Sequence, residues 1–162
     1  MARWDEIVVS EPEFAARVRR LFDAHKHKTM ATLRRDGSPR ISGTEVEFLD
    51  GDLWIGSMPG AVKALDLRRD PRMALHSGSD DPPEDESTAW AGDAKVAGRA
   101  VEVIEPAELE RFWRAHRQPP QPGGAHIFRI DLTEVVQTRV EPPALVIESW
   151  HPGVGLRRRE RT

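Results

Sequence analysis

Thr29-Met-Ala-Thr-Leu33, Arg34-Arg-Asp-Gly-Ser-Pro-Arg40, Ile41-Ser-Gly-Thr-Glu-Val-Glu-Phe-Leu49, Asp50-Gly-Asp-Leu-Trp-Ile-Gly-Ser57: in this stretch two Asp-Gly pairs divide three apolar segments. An Asp-Gly pair between alternating hydrophobics is a hairpin signal, because both residues tolerate the positive φ of a tight turn. The stretch therefore predicts a β-meander with strands near 29–33, 40–49 and 53–57. Gly43 falls inside the second strand, where a bulge or a close backbone approach needs no side chain. Pro59-Gly60 then opens a helix over about 61–69, and Asp70-Pro71 ends it.

The flanking sequence supplies support for this meander. Ser10 followed by Glu13 reads as a capping box, and Phe14, Val18, Leu21 and Phe22 recur at helical spacing, predicting a first helix over about 11–25. Downstream, residues 72–77 return to β structure and residues 94–105 form a long strand. Its apolar parity switches between Val96 and Val101, which places a bulge around Gly98. Pro106, Leu109, Phe112 and Trp113 predict a short amphipathic helix stopped by Pro119 and Pro120, and residues 118–124 read as a linker. Residues 125–132 alternate as a half-buried strand, with two more strands near 135–140 and 145–150. About seven short strands with three scattered helices predict a mainly β architecture, an antiparallel barrel with peripheral helices. A single domain over residues 1–162 is expected, with the barrel at about 28–150 and a basic tail at 151–162.

Composition narrows the function classes. The chain of 162 residues has no cysteine, which removes disulfides, thiol catalysis and thiolate metal sites together. A net charge of -3 argues against a dedicated nucleic-acid binder, whose footprint is a basic face. The local exceptions, residues 25–28 and Arg157, Arg158, Arg159 and Arg161, read as solvated edges or a tail. Five acids fall within residues 80–86 beside Pro82 and Pro83, a pattern of a mobile loop. No apolar run approaches the roughly 20 residues of a membrane span, and the first eleven residues lack the apolar stretch of a secretion signal, so the expected compartment is the cytoplasm.

Motifs for a Walker loop, a dinucleotide fold, a zinc protease or a nucleophile elbow are absent. The six histidines show no ligand spacing, so no metal site is expected. What remains is an anion site. Ser57 at a strand end, the amides near Ala61 and Val62, and Lys63 in the first turn of the following helix could converge on a phosphate, with Arg40 adding a fork of donors. The same types also suit a plain surface, with Arg40 as a solvated strand end and Lys63 as an exposed helix residue.

The order and spacing of Ala31-Thr-Leu33, Asp36-Gly-Ser-Pro-Arg40, Gly51-Asp-Leu-Trp-Ile-Gly-Ser57, Lys63-Ala64 and Leu67-Arg-Arg-Asp-Pro-Arg72 resemble the pyridoxamine 5'-phosphate oxidase-like flavin and deazaflavin oxidoreductases. Val96 to Ala100 and Phe128 to Ile130 continue the resemblance. It implies a split β-barrel of the FMN-binding-protein kind, assembled as a homodimer with cofactor grooves between subunits. Carried over by position, Arg40, Ile41 and Ser42 match the strand under the flavin, Gly56 and Ser57 the strand end beside the phosphate, and Lys63 the phosphate lysine. Lys95 matches a strand approaching the ring, and Trp150 is placed near the groove.

The resemblance implies an oxidoreductase acting on a small molecule, with FMN as cofactor and the deazaflavin F420 as the alternative. The ring performs hydride transfer and the protein supplies orientation, so no side-chain catalyst is assigned. A non-catalytic flavin- or haem-binding barrel is the rival. Two departures stand out. The residue before Lys63 is Val62, where many flavin-binding members carry a second cation, and the C-terminal Arg-x-His that grips pyridoxal phosphate is missing, which argues against that substrate.

Overall fold

Both Asp-Gly turns form. In the computed structural model, which describes residues 2–84, 86–116 and 123–162, β1 (Lys28–Leu33) and β2 (Pro39–Thr44) pair antiparallel around Gly37, whose φ is 83°. The Asp36 carboxylate closes this turn by accepting from the Ser38 N–H at 2.9 Å and from its hydroxyl at 2.6 Å. β3 (Val46–Leu49) and β4 (Asp52–Ser57) join through Asp50 and Gly51 at φ 53° and 79°, the two positive values that a type I′ turn requires.

The expected single strand over 40–49 is divided. β2 stays on β1 through Thr44↔Lys28, whereas β3 turns to β4 through Val46↔Ile55, so the chain changes partners at Glu45. Gly43, Thr44, Glu45 and Glu47 at this divergence line a groove beside the barrel.

α3 (Val62–Arg69) leads to β5 (Arg72–His76), which pairs with β1 on one side and β6 (Asp93–Glu102) on the other. After α4 (Pro106–His116) comes the 16-residue β7 (His126–Glu141), which pairs along its length with β6. On its other edge the first half of β7 holds β4, and the second half holds β8 (Ala144–His151), which carries β9 (Gly155–Arg161). The sheet has nine strands in the order β2-β1-β5-β6-β7-β4-β3, with β8 and β9 branching from β7. One long strand shared by two groups of neighbours is what splits the barrel.

A bulge is found at the register of Gly98, but on the partner strand, and the burial of β6 alternates through Ala94, Val96, Gly98 and Ala100 without the expected switch of parity. Ala97 faces Glu134 and Gly98 faces Leu132, which leaves Thr133 as the extra residue on β7. A Cβ at Gly98 would stand 2.5 Å from the Asp131 carbonyl oxygen, so only glycine lets the strands approach there. The interruption expected between the strands at 125–132 and 135–140 is this bulge, and β7 continues through it. The acidic segment contributes exposed Asp80, Asp81, Glu84 and Glu86; the expected linker at 118–124 lies mostly outside the described residues.

At the N-terminus the structure corrects the expected cap. Ser10 is the last residue of α1 (Trp4–Ser10), and α2 (Pro12–Ala24) starts with Pro12 behind Glu11 without a side-chain cap. α1 exists because Trp4 and Ile7 are buried and because Arg3 clamps Asp52 with two hydrogen bonds of 2.9 and 3.0 Å. Phe14, Val18 and Phe22 of α2 join Met30, Leu53, Ile55, Phe128 and Leu132 in the main core, each fully buried side chain contributing about 1.5–3 kcal/mol. A smaller core of Trp54, Val103, Phe112 and Ile127 docks α4 onto β4 and β7. Among the described residues no helix is long and apolar enough to cross a membrane. The Arg-rich end is β9, an edge strand with exposed arginines.

Candidate cofactor groove

A groove of about 660 Å3 runs from the end of β4, past the β2–β3 divergence, to the last turn of α4. Trp54, Gly56 and Ile127 line its middle, Ser57, Ala61 and Lys63 one end, and Phe112, Trp113 and His116 the other.

The first end is a corner built by the turn between β4 and α3. Gly60 holds φ 71°, and α3 begins at Val62 with no side-chain cap. The Ala64 and Leu65 N–H groups both bond to the Ala61 carbonyl, at 2.9 and 3.1 Å. The N–H groups of Val62 and Lys63 have no acceptor among the described residues. The Ser57 hydroxyl is buried and has no hydrogen-bond partner among them either. A buried polar group left unmade costs about 1–3 kcal/mol, so this serine is held in place against its own interest. Lys63 crosses to β2, where its Nζ donates to the Gly43 carbonyl at 2.5 Å. Burial lowers the Lys63 pKa, with Glu45 opposing that shift.

A second set of contacts fixes the turn. The Gly60 N–H donates to His126 Nε2 at 3.2 Å, which puts the imidazole proton on Nδ1, where it donates to Glu102 Oε1 at 2.7 Å. Glu102 in turn pairs with Arg68 of α3 at 2.9 Å. The helix and the strand are thereby tied to the same loop.

At the other end α4 presents stacked rings. His116 lies parallel to Phe112 at 5.4 Å and edge-on to Trp113 at 5.6 Å, and its Nδ1 meets the Glu47 carboxylate. This end is an aromatic cluster with one acid–imidazole pair, in which only Phe112 and His116 are parallel.

Of the residues named from sequence, Gly56, Ser57, Ala61 and Lys63 line the groove together. Arg40 is turned away to Asp66 at 2.6 Å, where Arg69 and Thr32 also donate, at 3.0 and 3.1 Å. Burial works against the Asp66 charge, but these three bonds outweigh it and hold its pKa below the usual carboxylate value. Ile41 is 74% exposed on β2, Val62 is exposed at the start of α3, and Ser42 sits half-buried opposite Met30. Lys95 is on β6, bonded to Asp93 at 2.6 Å and outside the groove lining. Trp150 is not beside the groove: it is buried in the main core opposite Val135, because β8 places it on the inward face. Among the described residues no cluster of His, Asp or Glu has the arrangement of a metal site.

Sequence reasoning missed Glu45, Glu47, Trp54, Phe112, Trp113 and His116 as groove residues. The helical spacing of Phe112 and His116 carried a signal of a shared face, but that face reads equally as core.

A divided antiparallel barrel whose long β7 is shared by two groups of strands belongs to the split-barrel class. The sequence profile of the pyridoxamine 5'-phosphate oxidase family matches residues 14–139, and the chain belongs to this family. No curated protein matches the chain in sequence. PhzG from Burkholderia lata, solved with tetrahydrophenazine-1-carboxylic acid, is similar with a TM-score of 0.66 at 14% identity, covering 94% of this chain and 93% of that one. A haem-binding protein from Mycobacterium smegmatis gives a TM-score of 0.64 at 16% identity over 83% of this chain and 56% of that one. HutZ, a haem storage protein from Vibrio cholerae, gives 0.56 at 17% identity over 76% and 89%. At these identities the likeness is one of fold.

Proposed function

We propose that the groove binds a phosphorylated flavin-type cofactor, FMN or the deazaflavin F420, and that the protein is an oxidoreductase acting on a small molecule. The observation that carries this reading is the corner: the buried, unpartnered Ser57 hydroxyl, the two free amides at the start of α3, and Lys63. These are the kinds of donors a phosphate takes at a helix N-terminus. When bound, the cofactor ring supplies hydride transfer.

The chain's own residues do the positioning. Ser57, Lys63 and the α3 amides hold the phosphate, and the His126–Gly60 bond keeps the turn in register. Trp54, Phe112 and Trp113 give an apolar lining against which the ring would lie, away from water. Ile41, Met58, Val62 and Leu65 are exposed apolar side chains on the elements that border the groove, and a second copy of the chain covers them in the proposed homodimer.

A second reading, a non-catalytic haem- or flavin-binding barrel, is favoured by the imidazoles of His27 and His116 in the groove lining. Thermal-shift measurements with riboflavin, FMN, F420 and haem separate the two. The oxidoreductase reading expects stabilisation by FMN or F420, weaker stabilisation by riboflavin, and a dimer by light scattering. Stabilisation by haem alone would replace it with the second reading.

A further inference from the structure

The charges of β9 are sorted by face. Arg158 pairs with Glu141 at 2.6 Å and with Glu160 at 2.8 Å. Arg157, Arg159 and Arg161 alternate with it, are exposed, and form no ion pair among the described residues. Cross-strand register puts these three on the same face as Ser149, Ile147 and Leu145 of β8, and then as Val136, Thr138 and Val140 of β7. That face is partly exposed along its whole length.

Its opposite flank is acidic. An added Cβ at Gly92 would stand 2.1 Å from the Thr138 carbonyl oxygen, so the loop before β6 is held hard against β7. The exposed Asp81, Glu84 and Glu86 of this loop form no ion pair among the described residues, and Asp80 has only His25, at 3.6 Å. Lys95 and Asp93, where this flank meets β6, neutralise each other at 2.6 Å. Neighbouring strands lie about 4.8 Å apart, so β6 and β9 are separated by about 14 Å.

Each flank repels itself and lacks within the chain the charge that the other carries. A face with base on one side and acid on the other is complementary to its own copy. A two-fold axis lying in the face, along the strands between β7 and β8, sets each basic flank on the acidic flank of the other copy. The aliphatic side chains of β7 and β8 then meet across the axis. Edge-to-edge pairing of two β9 strands is disfavoured, because arginines would stand opposite arginines.

We propose that the outer face of β7, β8 and β9 is a two-fold contact with a second copy of this chain, in which Arg157, Arg159 and Arg161 pair with that copy's 80–86 segment. None of these residues lines the groove, so the contact stands apart from the cofactor reading.

The test exchanges charge between copies and is read by sedimentation velocity on the full chain. Arg157→Glu/Arg159→Glu/Arg161→Glu reverses one flank, and Asp81→Lys/Glu84→Lys/Glu86→Lys reverses the other, all at exposed positions. The wild type is expected to self-associate, and less so as salt rises from about 0.1 M to about 1 M and the Debye length falls from about 10 Å to about 3 Å. Each variant alone should weaken that step about a hundredfold, because like charges then face each other. An equimolar mixture of the two variants should regain it, since every flank of the mixed pair again meets its opposite. Pairing within one chain could not be rescued by mixing.

Wild-type association that is indifferent to salt overturns the inference without any variant. Variants that associate as the wild type does, or cooperatively melting variants that stay apart when mixed, overturn it and leave the homodimer over the groove standing. A wild type that stays monomeric at every concentration and salt overturns both.

Discussion

Two clusters of polar groups sit on different parts of the same sheet, and they are finished to different degrees. Under β7 and β8, Glu148 accepts from Arg17 of α2 at 2.6 Å and also from Arg139. Arg17 donates to Gln137 at 2.9 Å, Arg139 to Glu141 at 2.8 Å, and Arg158 of β9 to Glu141 at 2.6 Å. Each charge there has a partner within the chain. At the β4–α3 corner the Ser57 hydroxyl and two amides have none among the described residues, and Lys63 has one carbonyl. A closed network stabilises the fold, and an open one leaves donors available for a ligand.

If that distinction holds, breaking the closed cluster should harm stability most. Glu148→Ala leaves Arg17 and Arg139 facing each other in a buried site and is expected to destabilise the protein by about 3 kcal/mol, measured by urea unfolding. A loss below about 1 kcal/mol would mean that the network is looser than its geometry indicates.

Acid should attack the same cluster. Burial disfavours the Glu148 charge, but bonds from Arg139 and Arg17 outweigh it and depress its pKa, and the arginines Arg158 and Arg139 lower Glu141 to about 2. A depressed carboxylate contributes stability that is complete above its unfolded pKa of about 4 and is lost as pH falls through the folded value. Unfolding in acid is therefore expected between about pH 4 and pH 2, and a pH titration of the melting temperature should fall less steeply there in Glu148→Ala.

The open corner should respond in the opposite way. Lys63→Ala is expected to weaken binding of a phosphate-bearing cofactor by about 2 kcal/mol. The melting temperature of the free protein should stay unchanged or rise, since burial already disfavours this ammonium. Riboflavin binding should be unaffected, and equal losses for riboflavin and its phosphate would place the lysine outside the site. The smallest effect belongs to Ser57→Ala, which should cost the phosphorylated ligand about 1 kcal/mol and raise the stability of the free protein slightly. A stability loss would reveal a partner for this hydroxyl.

How much of this was legible beforehand follows from the range of the interactions. The Asp36-Gly37 and Asp50-Gly51 turns and the α3 helix between Pro59-Gly60 and Asp70-Pro71 were readable because turn and helix-end geometry is decided by a few adjacent residues, whereas the bulge opposite Gly98 sits on β7 at Thr133 and depends on the pairing of two strands. The α1 helix was not, since it depends on Trp4 and Ile7 entering the core and on Arg3 reaching Asp52, 49 positions away. The break at Glu45 was also hidden, because β2 and β3 part by choosing different partners, which the imperfect alternation of that stretch does not specify.

The site divides along the same line. Ser57 and Lys63 were identifiable because a strand end followed by a helix start places them together locally. Arg40 carried the right charge and the right position along the chain, yet Asp66 claims it across the sheet. Glu47, Trp113 and His116 joined the groove only when α4 folded back over β4.

By itself, then, the sequence determined the two Asp-Gly turns, the α3 and α4 helices, the mainly β class and the family, all of which are written in residues close together in the chain. The tertiary structure alone decided which cations remain free, which rings face the groove and how many carboxylates share it. Charge balance and ring stacking depend on distances between residues that are remote in sequence, and only the folded sheet sets those distances.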